Sequence, residues 1–154
     1  MTDTHHQIKV GLFALCQRYV QKRIDTARQA MEAAQEAANS ESKSSAGDKY
    51  ETGRAMAQLE RDRHAQLLAE AVKIERELKQ LVIEKSYEIV QPGSVAITNR
   101  GLFFISIGAG KMALDGVDYF AVSAASPIGT LLAGHRVGDT VTFNKMAYQI
   151  QEVF

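Results

Sequence analysis

Along residues 8 to 43 the apolar positions recur at alternating spacings of four and three: Ile8, Leu12, Leu15, Tyr19, then, moved on by one residue, Val20, Ile24, Ala27, Met31, Ala34, Ala38. One glycine and no proline fall in this stretch, so the pattern predicts a long helix with one continuous contact stripe. The stripe passes from leucine and isoleucine to alanine, which allows close approach of a partner helix with less burial. After the interruption SSAGDKYETGR, a second helical pattern runs from about Glu51 to Val82, with Met56, Leu59, Leu67, Ala71, Ile74, Leu78 and Leu81 as its stripe and Arg63 or His64 filling the gap. Two amphipathic helices joined by a short connection predict an antiparallel coiled-coil hairpin over residues 1–83, its tip near residues 44–52. At about 1.5 Å per residue each arm would extend roughly 45 Å.

The period changes after Lys85. Pro92-Gly93 marks a turn, and β-branched and aromatic residues gather in SVAIT, LFFISI, DYFAV, DTVTF and AYQIQEVF. These predict a mostly antiparallel sheet over residues 84–154, interrupted by one short helix in SPIGTLLAGHR with Ser126 as N-cap and Pro127 in its first turn. The expected class is therefore α+β, a helical hairpin followed by a small β-rich domain. About 70 residues is near the lower limit for a domain that must stabilise itself.

Charge removes one group of functions. Eighteen basic residues balance eighteen acidic ones, giving a pI of about 6.9 and no net field to attract nucleic acid or an anionic membrane. Contact with RNA or DNA would have to come through another molecule. The apolar runs are too short for a membrane span or a signal peptide, so a cytoplasmic protein without membrane association is expected. The single cysteine, Cys16, lies within the helical pattern and reads as a small buried hydrophobe.

Several residues suggest chemistry and lose it on inspection. His5-His6 lack a third ligand and read as a polar tail. His64 and His135 have no carboxylate or cysteine at metal-ligand spacing, and His64 falls on or beside the coiled-coil seam. Ser123 and Ser126 lack the surroundings of a nucleophilic serine and suit sheet-edge and capping roles. Gly108-Ala109-Gly110-Lys111 lacks the spacing of a phosphate loop and reads as a hairpin turn.

The turn between the helices keeps two acids three positions apart, Asp48 and Glu51. One reading is local: Asp48 caps the second helix and Glu51 completes a capping box. The other is chemical. Mg²⁺ takes oxygen ligands and is commonly held by one or two carboxylates with substrate phosphates, so two acids make a poor site alone. Beside an active site that already holds one metal, they could complete a second position and orient a water. The cations of Lys49 and Arg54 oppose that role unless they point away or contact RNA phosphate, and Tyr50 could stack on a base or pack on the hairpin. Glu41 lies in SESKSS, which reads as solvated loop.

The second half carries Ser126-Pro127-Ile128-Gly129, Leu131-Leu132-Ala133-Gly134 and Gly138-Asp139-x-Val141. In order and spacing these resemble the Ser-Pro-(Leu/Ile)-Gly…Leu-Leu-Gly…Gly-Asp-x-Val pattern of the Gre family of bacterial transcript-cleavage factors. The likeness covers residues 93–154 and extends to the hairpin mainly by architecture. At the turn the family has Gly-Asp-x-x-Glu, matched by Gly47-Asp48-Lys49-Tyr50-Glu51, although Lys49 and Tyr50 stand where the family usually has Leu-Ser and Thr52 replaces a frequent asparagine.

The resemblance implies an FKBP-like second domain that docks on core RNA polymerase beside its secondary channel, with Ser126, Pro127, Ile128, Gly129, Gly134 and His135 as candidate docking positions. It implies a hairpin entering the channel, where Asp48 and Glu51 help hold a polymerase Mg²⁺ while the polymerase cleaves a backtracked transcript. Lys49, Tyr50 and Arg54 then modulate the tip. The chain would be a monomeric accessory factor, not an enzyme, with no cofactor of its own; RNA and DNA would be met only through the polymerase complex. The altered tip also fits a factor that occupies the channel without promoting cleavage. A coiled-coil adaptor whose turn is inert is a third possibility, and the aromatic residues are too few to suggest a prolyl isomerase pocket beside a filled core.

Overall fold

The long apolar period becomes helix α1, Asp3–Ser44, and the second becomes helix α2, Asp48–Lys79. The computed structural model describes residues 2–44 and 48–154, and side chains outside residues 41–50. Six strands follow: β1 Val95–Thr98, β2 Leu102–Ser106, β3 Gly110–Leu114, β4 Val117–Ser123, β5 Thr140–Phe143 and β6 Met146–Val153, with helix α3, Pro127–Leu132, between β4 and β5. The observed class is α+β, a helical pair followed by a mixed six-stranded sheet. Contacts gather the chain into two compact units, one made of Met1–Tyr19 with Arg76–Phe154, the other of Val20–Glu75.

In the sheet unit the strand order is β3-β4-β2-β1-β6-β5. All neighbours are antiparallel except β2 and β4, which run parallel with Phe103 beside Phe120 and Ser106 beside Ser123. The parallel pair requires a crossover, supplied by β3, which lies outside β4 at the sheet edge. Strand β3 was not among the predicted strands: GAGK appeared as a turn, whereas Gly110 opens the strand at φ +79°.

Central strand β2 is buried on both faces, which explains why LFFIS shows no alternation. Phe103 and Ile105 join Val90, Ala96, Leu132, Val141 and Ile150 in one core cluster. On the other face Ser106 meets Cys16, which also contacts Met112, so the first turns of α1 belong to the same unit as the sheet. Leu12, Cys16 and Phe104 are all fully buried. Cys16 is thus the small buried hydrophobe its neighbours suggested, and burial pushes its thiol up to about 11. A β domain that was short of core in isolation gains a helix to cover its second face.

Lys9 belongs to that helix and is also fully buried. Its ammonium donates to the Lys85 carbonyl at 2.8 Å and lies 4.6 Å from the Tyr87 ring centroid. Tyr87 in turn donates its hydroxyl to the Val82 carbonyl at 2.7 Å, fixing the segment that follows α2. Loss of hydration lowers the Lys9 amine to about 8, partly opposed by the Glu84 carboxylate. From pH 8 to 9 the unfolded chain holds this proton while the folded chain releases it, so the Lys9 contribution to stability rises with pH. The gain is about 1 kcal/mol, roughly 2 to 4 °C in Tm. Thermal melts of wild type and Lys9→Met at the two pH values should show this rise only in wild type. Cys16 acts in the opposite direction between its ordinary value of 9.0 and about 11, and is common to both proteins.

In the helical unit, Val20, Ile24, Ala27 and Ala38 of α1 are buried as the stripe predicted, while Met31 and Ala34 are half-buried. Helix α2 departs from expectation. Met56 and Leu59 are 59% and 63% exposed, and Leu67 is 41% exposed. The inward row instead runs Ala57, Arg61, His64, Leu68 and Ala71. Small residues on both helices allow close approach, and an arginine can lay its methylene stem along a seam with its charged end toward water. The expected stripe therefore fails at Met56, Leu59 and Leu67 and holds from Ala71 on, where Ala71 and Leu78 are buried and Ile74 and Leu81 half-buried. His64 fills the gap, and Arg63 is outside.

Candidate functional site

The turn acids occupy the start of α2, which begins at Asp48. Glu51 lies within its first turn and is exposed, as is Arg54 one turn further on. Three-residue spacing on a helix places Glu51 and Arg54 along one side. Ser45, Ala46 and Gly47, and the side chains of Glu41, Asp48, Lys49 and Tyr50, lie outside the described residues. Residues 41–44 continue α1 as helix, which corrects the expectation of loop around Glu41. A run of helix-compatible Glu, Lys and Ala carries the helix through serines that would favour a turn in isolation.

The second candidate region surrounds α3. Ser126 is its N-cap: the hydroxyl accepts from the Gly129 N–H at 3.1 Å and donates to the Ser123 carbonyl at 2.7 Å. Pro127 occupies the first helical position, where a missing N–H costs nothing. Gly129 is buried so closely that an added Cβ would fall 2.2 Å from the Ser123 carbonyl oxygen. Ile128 packs partly buried against the core cluster. Gly134 follows the helix at φ +81°, a left-handed position suited to glycine. Ser126, Pro127, Ile128, Gly129 and Gly134 thus each have a local structural role, whereas Leu131 of the same run and the neighbouring Val137, 38% and 57% exposed, present apolar surface.

His135 is half-exposed, and its Nδ1 lies 3.0 Å from an Asp139 carboxylate oxygen. That oxygen also accepts from the Arg136 backbone N–H at 3.1 Å. The backbone hydrogen bond, and then His135, hold the Asp139 carboxyl below its ordinary value. His135 had seemed to lack a carboxylate partner because the chain between the two residues is not helical; the turn at Gly138 brings them together. His64 likewise meets Glu60, four residues earlier on α2, at 3.5 Å. Neither pair makes a metal cluster, and among the described residues no group of three potential ligands is gathered.

The amino-terminal histidines also differ from expectation. His5 and His6 are helical, and the His5 ring stacks on Phe154 with centroids 3.9 Å apart while its Nε2 pairs with Glu152. A polar tail was the natural reading of two adjacent histidines, but α1 starts early and packs its first turns with the sheet. Lys9 was missed for a related reason. Its positions three before Leu12 and seven before Cys16 mark the core face, a signal obscured by its charge.

Among the described residues no helix is long and apolar enough to cross a membrane. Comparison with protein-family models and with curated proteins returned no match.

Proposed function

We propose that this protein is a Gre-like transcription elongation factor, in which an FKBP-like sheet unit docks on core RNA polymerase beside the secondary channel and the hairpin enters that channel. The carrying observation is the ordered run from Ser126 to Val141, in which the Ser-Pro-Ile-Gly, Leu-Leu-Ala-Gly and Gly-Asp-x-Val groups keep the family's spacing. The capped helix and left-handed glycine give that run a physical reason to be kept as a unit. The exposed Leu131 and Val137, with His135 between them in sequence, supply surface for docking.

At the hairpin turn, Asp48 and Glu51 complete the coordination of a Mg²⁺ in the polymerase active site and orient the water that attacks the transcript. The factor has no reaction of its own; RNA and DNA are encountered within the polymerase complex, and the factor acts as a cytoplasmic monomer. Lys49 and Tyr50 favour a second reading of the same placement. A cation next to the acids weakens metal binding by Coulomb repulsion, giving a factor that enters the channel and restrains the polymerase without stimulating cleavage.

Core RNA polymerase from the source cell should retain the purified protein through gel filtration. Val137→Asp should weaken that association by at least tenfold, since it places a charge in a small apolar contact. Absence of binding by wild type removes the proposal at its root.

A further inference from the structure

A cavity of about 390 Å³ opens in the sheet unit where the last turns of α2 meet the ends of β2 and β4. Its volume lies in the range of small-ligand sites. Because β2 and β4 run parallel, their final residues, Ser106 and Ser123, stand side by side at one end of the sheet. Both line the cavity with Glu77 and Gln80, while Leu81 and Pro92 supply apolar wall.

The polar groups share one character. Ser106 donates its hydroxyl to the Phe104 carbonyl at 3.3 Å and lies 3.8 Å from the Cys16 thiol, so its oxygen keeps one lone pair for an incoming donor. The Ser123 carbonyl is used by the Ser126 hydroxyl and N–H, whereas among the described residues the Ser123 hydroxyl carries no bond. Among the described residues the side chains of Glu77 and Gln80 likewise meet no partner. The lining offers one carboxylate, one amide and two hydroxyls, and contains no cationic side chain.

An anion would face Glu77 without a compensating charge. A divalent metal would find only one carboxylate, too few hard ligands for a retained ion. An ammonium group fits: it carries three donors, meets the carboxylate as a charge-assisted hydrogen bond, and can use the serine and glutamine oxygens as further acceptors. The apolar wall then receives methylene groups attached to that ammonium. We propose that this cavity binds a primary alkylammonium, with the charge at Glu77 and the alkyl stem against Leu81 and Pro92. The site goes beyond the transcription reading and stands or falls separately from it.

A lysine side chain of a peptide and a free diamine share this chemistry. The full-length ¹⁵N-labelled protein, titrated at constant ionic strength with n-butylammonium chloride, should show saturable shifts at the amides of Ser106, Ser123 and Ala124. The uncharged n-butanol should bind at least tenfold more weakly, and Glu77→Gln should lose about the same factor for the amine while retaining the wild-type spectrum elsewhere. Nα-acetyl-lysine methylamide and 1,4-diaminobutane form the two further arms: tighter binding of the first assigns a peptide side chain, and of the second a free polyamine. Equal binding of butanol and butylammonium, an unchanged affinity in Glu77→Gln, or shifts outside the cavity overturns the proposal.

Discussion

Leu12→Ala should destabilise the protein by about 3 kcal/mol, whereas Leu59→Ala should change stability by less than about 0.5 kcal/mol. Both leucines belong to helical apolar stripes in the sequence, and a pattern-based reading gives them equal weight. Leu12 is fully buried in the turns of α1 that share a compact unit with the sheet; Leu59 is 63% exposed on α2. Removing three carbons from Leu12 forfeits transfer energy and leaves a cavity that its packed surroundings close only in part. At Leu59 the removed atoms already face water. Urea denaturation of the two variants provides the measurement, with the slope checked for a change in the surface exposed on unfolding. Equal losses would contradict the assignment of α2's faces.

The larger functional effect belongs to Asp48→Ala/Glu51→Ala. This double variant should reduce stimulation of transcript cleavage by about 100-fold, the upper end for losing groups that tune a metal site. Its polymerase binding should stay within about twofold because the docking surface proposed for the sheet unit is untouched. Stability should fall by only about 1 kcal/mol, the usual effect of losing acids from the first turn of a helix. The three readouts separate the roles of these acids. Loss of stability with unchanged cleavage assigns Asp48 and Glu51 to the helix start alone, while loss of binding places the turn in the docking contact.

The architecture was legible where one physical signal dominated. Four-three spacing marked the helices, and Ser126 with Pro127 marked the start of α3 because the cap chemistry is local. Strand β3 was less visible: Gly-Ala-Gly-Lys is turn-like in composition, and only pairing with β4 makes Gly110–Leu114 a strand. The unexpected exposure over the earlier part of α2 has a similar origin. Apolar identity favoured Met56, Leu59 and Leu67, but close helix packing turned Ala57, Arg61 and Leu68 inward, whereas Ala71, Ile74 and Leu78 lie inward as their spacing predicts. Lys9 and His5 acquire their partners from residues far along the chain, so their immediate neighbours concealed those roles.

For the candidate site, Asp48 and Glu51 could be selected from their spacing and Gre-like position, and α2 does begin at Asp48. The chemistry assigned to them requires a polymerase metal and cannot be generated by one helix start. The signature after β4 was equally visible, yet Ser126 and Gly129 are committed to the N-cap and to a contact too tight for a side chain. Leu131 of that run and the neighbouring Val137 present the exposed apolar surface proposed for docking, a distinction that depends on folded exposure.

A stalled, backtracked elongation complex with a 3′-labelled transcript tests the central proposal most directly, using wild type, Asp48→Ala/Glu51→Ala and polymerase alone. The expected result is rapid release of short 3′ fragments with wild type, and release near the polymerase-alone rate with the double variant despite retained binding. Transcripts that remain intact with bound wild-type protein, or identical cleavage with wild type and variant, would contradict it.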